Sequence, residues 1–228
     1  MKINVLYEDN HILIVNKSYG IPVQKDSSND ISLYEIAQQY IKKKYQKKNN
    51  VFLGLVHRID RPVSGCVTFA KTSKSLKRLN EMFKKKLIKK TYLAIVCGVN
   101  LKKSETIEHW LLKKPKINKS FAFLKHVEKS KKAILQYENI YSFENYTLLK
   151  IDLKTGRHHQ IRTQLSKIGY PIKGDLKYGS KRSNKNKSIS LHSSSIELIH
   201  PVKKNKLFIK ANLPKDDLWS ALPSCLDV

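Results

Sequence analysis

The sequence predicts an α+β fold. Segments with strand character outnumber those with helical periodicity, and the two kinds do not alternate regularly, as a parallel doubly wound sheet would require. We find no internal repeat. The chain has 228 residues, 40% of them hydrophobic, which is enough to bury a core. We therefore expect one globular domain over residues 1–228, with a mixed, mostly antiparallel sheet and helices packed on it.

Eight short segments rich in β-branched and aromatic residues are predicted to be strands. In chain order they are Ile3–Leu6, His11–Val15, Cys66–Ala70, Tyr92–Val96, Ala133–Tyr137, Thr147–Leu153, Ile189–Leu198 and Leu207–Ala211. Residues 180–188 contain only Ser, Asn, Lys and Arg. Because such a segment cannot contribute to a core, it predicts a flexible surface loop.

Three segments have helical spacing. Ser32 and Glu35 form a capping-box pattern ahead of the first, whose apolar positions are Leu33, Ile36, Ala37, Tyr40 and Ile41. The second is amphipathic, with apolar positions Leu76, Leu79, Met82, Phe83 and Leu87. The third contains Ile161, Leu165 and Ile168 and stops at Gly169.

The charge balance is strongly basic. Lys and Arg number 45 against 18 Asp and Glu, a formal net charge of +27. Such a charge repels itself unless a polyanion neutralises part of it, which favours nucleic acid as the partner. Lys71–Lys90 holds nine basic residues against Glu81 alone, a stripe that could follow a phosphate backbone. A biased genome composition and an ordinary solvated helix face remain alternative explanations.

The remaining composition favours the cytoplasm. Cys66, Cys97 and Cys225 are far apart and form no CxxC pair, so neither a disulfide nor a zinc site is expected. No run reaches the roughly 18 apolar residues of a membrane span. The first 15 residues contain acidic side chains where a signal peptide would be apolar. We expect a soluble cytoplasmic protein that acts as a monomer, without membrane association.

Two segments concentrate polar side chains that could carry chemistry. The first, Gly54–Gly65, places His57, Arg58, Asp60 and Arg61 between apolar flanks, as in a site held by a rigid scaffold. Asp60 could equally be a loop acid balanced by its basic neighbours.

The second segment, Lys154–Arg162, forms a strand-to-helix turn with Arg157 and two histidines. A helix N-terminus already carries about half a positive charge, so this turn could bind phosphate, or its side chains could simply extend into water. Arg162 lies near the apolar side of the helix and needs a carboxylate, for which Asp60 is a candidate. At about 4 Å such a pair interacts by roughly 4 kcal/mol, opposed by desolvation.

Five motifs in order resemble the RluA family of pseudouridine synthases over nearly the whole chain. They are Tyr7-Glu8-Asp9 through Lys17–Val23, His57-Arg58-Ile59-Asp60 with Ser64-Gly65, Lys90-Thr91-Tyr92, Gly156-Arg157 with His159–Arg162, and Gly169–Ile172 with Gly174-Asp175 and Tyr178-Gly179. Leu191-His192 and His200-Pro201 are similar to the closing elements. Ser18, where Pro is usual, and Val63, where Thr is usual, are modest departures that affect loop rigidity.

The resemblance implies a pseudouridine synthase catalytic core with a central RNA-binding cleft, without the separate N-terminal RNA-binding domain of some members. By matching positions, the catalytic residues are Asp60, which initiates cleavage of the glycosidic bond, Tyr92, which stacks on the uracil, and Arg162, the partner of the acid. Arg58 is expected to fill the gap left by the extruded uridine. The implied contacts of His57, Arg157 and His159 are to the loop or to phosphate, and Leu191 packs on the base.

The implied function is isomerisation of a uridine in ribosomal or transfer RNA, with the target uridine in a loop or at another accessible position. Because isomerisation conserves all atoms, no cofactor or metal is expected. Asp175 and Tyr178 are expected to be structural hydrogen-bonding residues. The alternative is a catalytically silent RNA-binding or ribosome-associated protein. A methyltransferase is disfavoured, since no Gly-rich nucleotide loop follows a strand.

Overall fold

The computed structural model describes residues 3–26, 28–215 and 217–226. The backbone groups into two compact units. The first contains the chain segments 1–90 and 193–228, and the second contains segment 91–192. The single domain expected from the sequence stays a prediction.

The described residues form eleven strands and four α-helices, which confirms the predicted α+β class. The strands are β1 (Val5–Glu8), β2 (Ile12–Lys17), β3 (Gly54–Leu55), β4 (Ser64–Ala70), β5 (Lys89–Cys97), β6 (Ser104–Lys114), β7 (Lys119–Phe123), β8 (Lys131–Ser142), β9 (Tyr146–Leu153), β10 (Leu191–Ile199) and β11 (Lys206–Lys210). The helices are α1 (Leu33–Lys44), α2 (Ser73–Lys84), α3 (Gln160–Lys167) and α4 (Asp217–Ser220). No helix in the described part of the chain is long and apolar enough to cross a membrane.

The sheet of the first unit has the order β1-β2-β4-β10, with β3 beside β4 and β11 beside β10. Strand β2 pairs antiparallel with β4 from Ile12 opposite Ala70 to Lys17 opposite Gly65. A cluster of buried apolar side chains, among them Ile12, Ile14 and Ile196, lies on the core side of this sheet, and Leu79, which has no exposed surface, anchors α2 on it. Burial of these side chains stabilises the first unit and fixes α2 relative to β4.

The sheet of the second unit has the order β5-β9-β8-β6-β7, and each of these pairs is antiparallel. Helix α3 packs on one side of it. The amide of Gln164, a buried side chain, lies 3.2 Å from the carbonyl oxygens of both Ile107 and Ala133 and donates to them. A helix tied in this way to two neighbouring strands has a fixed position, which in turn fixes its N-terminal turn.

The three predicted helices are confirmed, except that Leu87, expected among the apolar positions of the second, lies beyond the end of α2 and is 61% exposed. The capping box ahead of α1 is complete: the Ser32 N–H donates to the Glu35 carboxylate over 2.9 Å, and the Glu35 N–H donates to the Ser32 hydroxyl over 3.3 Å. Each of the eight predicted strands overlaps an observed one, whereas β3, β6 and β7 were not predicted. In β6 the alternation is obscured because one inward position is His109, which is buried.

The loop predicted at 180–188 contains no strand or helix. Three of its side chains, Ser180, Asn184 and Ser188, are nevertheless buried. The Lys173 ammonium donates to the Asn184 side-chain oxygen over 2.7 Å, and the Asn184 amide lies 3.3 Å from the Ser188 hydroxyl. These contacts attach the segment to the second unit, and its flexibility stays a prediction.

Candidate active site

The loop between β3 and β4 carries Asp60. Ile59 is 8% exposed and anchors the loop in the first unit, while the Asp60 side chain is half-buried and that of Arg58 is exposed. The Val63 N–H donates to the Asp60 carbonyl oxygen over 3.0 Å and closes the turn. The carboxylate therefore stands on a turn whose backbone is held on both sides.

Lys17, at the end of β2, ties this loop to the segment that follows β2. Its side chain is fully buried, and its ammonium group donates to the carbonyl oxygens of Ser18, Ile21 and Arg61 over 2.9, 2.9 and 3.0 Å. Burial lowers the pKa of Lys17 to about 7, opposed by the negative charge of Asp60. Three acceptors match the three N–H groups of a protonated lysine, so this side chain fixes the backbone one residue beyond Asp60.

Arg61 fastens the same loop from outside. The Gly20 N–H donates to the Arg61 carbonyl oxygen over 2.9 Å, and the Arg61 Nε donates to the Gly20 carbonyl oxygen over 2.9 Å. The guanidinium also pairs with Asp30. Since both charged groups of that pair are exposed, the ion pair contributes little, and the two backbone contacts are the more important restraint.

His57 connects the loop to α2. Its Nε2 accepts the Thr68 N–H over 3.1 Å, and its ring lies 5.1 Å from that of Phe83, centroid to centroid. Burial, with the positive charge of Lys90, lowers the pKa of His57 to about 3. A neutral ring that accepts a backbone hydrogen bond is suited to orienting the loop, whereas a phosphate contact by this residue stays a prediction.

The backbone after Ser64 in this motif requires a glycine, Gly65. Its φ is +112°, and a Cβ at this position would lie 2.2 Å from the Ser193 carbonyl oxygen of β10. No larger residue fits without moving backbone. The close approach of β4 and β10 therefore depends on this one residue.

In the second unit, Arg162 forms a buried ion pair with Asp175. Nε donates to one carboxylate oxygen over 2.7 Å and a terminal nitrogen donates to the other over 2.9 Å. The two side chains are 6% and 1% exposed, and the guanidinium lies 5.0 Å from the Tyr178 ring centroid. Asp175 thus supplies the carboxylate that the sequence required for Arg162. The structural role expected of Asp175 agrees with this geometry, and pairing of Arg162 with Asp60 stays a prediction.

The turn before α3 is held by hydrogen bonds to the β7 region and to Tyr178. His159 has a left-handed backbone, φ 52°, and its ring stacks on His158 at 3.7 Å. Its Nδ1 lies 2.8 Å from the Tyr178 hydroxyl, which also accepts the Ser120 N–H over 2.9 Å. Arg157 is exposed, and its Nε donates to the Lys132 carbonyl oxygen over 3.0 Å. Of these side chains, Arg157 is the one directed to the surface.

Tyr92 and Leu191 are both buried, 6% and 4% exposed. Tyr92 lies in β5 opposite Ile151 of β9, and Leu191 is the first residue of β10. This placement is compatible with a core tyrosine and with one that reaches a substrate base, so the stacking role of Tyr92 stays a prediction.

The predicted site residues divide between the two units. His57, Arg58 and Asp60 lie in the first unit, and Tyr92, Arg157, His159, Arg162 and Leu191 lie in the second. The sequence did not reveal Lys17 as a loop-fixing residue, although a lysine two residues after the apolar run Ile12–Val15 is a signal for a buried cation. The described residues contain no group of three or more His, Cys, Asp or Glu that could hold a metal ion.

The fold places the chain in a known structural class. It resembles two human proteins, RNA Pseudouridylate Synthase Domain Containing 4 and Domain Containing 1, with TM-scores of 0.77 and 0.76. The first is 21% identical and the second 20%. The alignments cover 93% and 96% of this chain, and 89% and 87% of the human ones.

The chain belongs to the RNA pseudouridylate synthase family, whose model matches residues 11–167. It is 40% identical to the ribosomal large subunit pseudouridine synthase C of Buchnera aphidicola from Acyrthosiphon pisum, over 93% of this chain and 68% of the relative. It is 29% identical to the tRNA pseudouridine synthase C of Haemophilus influenzae, over 96% of both chains. The RluA-type resemblance and the predicted enzyme class are confirmed, and nothing supports the silent-binding alternative.

Proposed function

We propose that this protein isomerises one or more uridines of ribosomal or transfer RNA to pseudouridine, with Asp60 starting the reaction. The observation that carries the proposal is the Asp60 loop, a family signature whose backbone is fixed by Lys17 and Arg61 and in which Asp60 is half-buried. Nucleophilic or base catalysis requires a carboxylate that is already held in position and does not have to reorganise during the reaction.

In the proposed reaction the bond between uracil N1 and ribose C1′ breaks, assisted by Asp60 acting on the ribose. The base then turns and C5 bonds to C1′. Removal of the C5 proton and protonation of N1 complete the isomerisation, so every atom of the uridine is retained. Attack by the carboxylate on C1′ and formation of a glycal intermediate are both compatible with this role.

The other predicted residues have supporting roles in this proposal. Tyr92 stacks on the uracil and assists removal of the C5 proton, and Arg162 keeps the Asp60 carboxylate ionised. Arg58, an exposed residue of the loop, occupies the space left by the extruded nucleotide, which offsets part of the few kcal/mol that extrusion costs. His57, Arg157 and His159 orient the loop or contact phosphate, and Leu191 packs on the base.

Substitution of Asp60 by Asn tests the proposal. Tritium release from RNA labelled at uracil C5 should fall to the background level, while RNA affinity stays within about twofold, since most of the affinity comes from lysines. Asp152→Asn, at a half-buried acid of β9, is the matched control and should retain activity. Wild-type tritium release by the Asp60 variant would overturn the assignment.

The choice between ribosomal and transfer RNA is open to a direct measurement. Relatives of this chain are named for both kinds of RNA. Mapping pseudouridines in both RNA classes from cells with and without the gene should show a uridine that is modified only when the gene is present. We further propose that the protein acts as a cytoplasmic monomer, which light scattering and cell fractionation would check.

A further inference from the structure

The C-terminal end of α2 and the turn into β5 carry five lysines within seven residues. They are Lys84, Lys85, Lys86, Lys89 and Lys90, called here the α2 tract. The first four are exposed and Lys90 is half-buried. Positive charges this close repel one another, so the tract is electrostatically unfavourable unless an anion lies against it.

No described carboxylate neutralises the α2 tract. Its five lysines form no ion pair with any acid in residues 3–26, 28–215 and 217–226, and Glu81, the acid nearest in the sequence, forms none either. This contrasts with Lys71 at the other end of α2, whose ammonium lies 2.8 Å from the Glu8 carboxylate. The tract therefore presents unneutralised charge to a ligand.

The α2 tract is joined by contacts to the Asp60 loop within the first unit. The Lys90 ammonium lies 5.4 Å from the centroid of the Phe83 ring, and the Phe83 ring lies 5.1 Å from that of His57. His57 is three residues before Asp60. Phe83 and Lys90 therefore connect the C-terminal end of α2 and the turn into β5, where the other four lysines lie, to the loop that carries Asp60.

We propose that the α2 tract binds the phosphate backbone of the RNA strand that flanks the target uridine. The inference rests on the proposed function, since it takes the RNA substrate as the ligand. Lysines act here as point charges without base recognition, so the tract contributes affinity and register rather than sequence preference.

The C-terminal end of α1 offers a matched control. Lysines at the end of a helix also stabilise its dipole, which would explain the α2 tract without any ligand. Helix α1 ends in the same way, and Lys42, Lys43 and Lys47 are exposed and without an ion pair to the described residues. At this end Lys44 forms an ion pair with Glu8, and among the described residues no ion pair joins its lysines to the Asp60 loop.

The experiment compares Lys84→Gln/Lys85→Gln/Lys89→Gln with Lys42→Gln/Lys43→Gln/Lys47→Gln, both in the full chain with Asp60→Asn to prevent turnover. Binding of a 20-nucleotide oligouridylate is measured by fluorescence anisotropy between 50 and 300 mM salt. Each lost phosphate contact on a single strand lowers the salt slope by about 0.7. The α2 triple variant should therefore lose about 2 from the slope, and the α1 triple variant less than about 0.5.

Equal salt slopes for the two triple variants would overturn the proposed role of the α2 tract, because net charge alone would then account for RNA binding. An unchanged slope in the α2 variant would overturn it as well. Lys84→Arg/Lys85→Arg/Lys89→Arg should restore the wild-type slope. Tritium release by the protein with intact Asp60 is a separate measurement. If no RNA gave tritium release, the proposed function would be wrong, but a difference in salt slope would still show that the α2 tract binds the phosphate backbone.

Discussion

The buried ion pair between Arg162 and Asp175 leads to the most direct prediction about stability. Replacing Asp175 by Asn removes a negative charge that compensates a guanidinium whose side chain is 6% exposed. Breaking such a pair from one side typically costs about 3–5 kcal/mol, because the remaining charge stays buried. For a chain of this size 1 kcal/mol corresponds to roughly 2–4 °C in Tm, so we expect a decrease of about 10 °C.

The measurement is thermal and urea unfolding followed by circular dichroism. Glu108→Gln is the control, because its ion pair with Lys132 has the same 2.7 Å separation while both side chains are about half exposed, 49% and 47%. That pair should contribute no more than about 1 kcal/mol. If Asp175→Asn lowers Tm no more than Glu108→Gln does, the ion pair is not a stabilising element of the second unit, and the reasoning is wrong.

Two further substitutions follow from the first unit. His57 has a pKa of about 3 in the folded protein, below its ordinary value of 6.5, so the unfolded chain binds more protons between these values. Its contribution to stability is present above pH 6.5 and is lost as the pH falls towards 3. In the His57→Gln variant the free energy of unfolding should therefore depend less on pH in this window than in the wild type. The control, His126→Gln at an exposed position, should keep the wild-type pH dependence. Parallel pH profiles for His57→Gln and the wild type would refute the reasoning. Gly65→Ala should lower the free energy of unfolding, measured in urea, by about 3 kcal/mol or more, because the new Cβ overlaps the Ser193 backbone. Gly20 also has a left-handed backbone, φ +83°, but no atom lies within 4 Å of a Cβ built there. Gly20→Ala should therefore cost only about 1–2 kcal/mol. Equal losses would show that the left-handed backbone, not the close approach to β10, sets the cost.

The candidate site was predicted in part by local sequence. The loop around Asp60 stands out because polar side chains and turn residues interrupt apolar runs, and this signal needs no knowledge of distant residues. Asp175 was expected to form structural hydrogen bonds, but its partner was not identified. The pairing with Arg162 spans 13 positions and depends on how the turn after α3 folds back.

The sequence by itself determined the elements whose cause is local: the capping box of α1, the amphipathic period of α2 and the apolar strands around the core. It also determined the excess of positive charge, which calls for a polyanionic partner. Only the tertiary structure decided that Lys17 fixes the backbone next to Asp60, that His57 is neutral, and that Gly65 faces Ser193. These features depend on atoms brought together from distant parts of the chain, where burial and hydrogen bonding, not residue type, set the charge and position of each group.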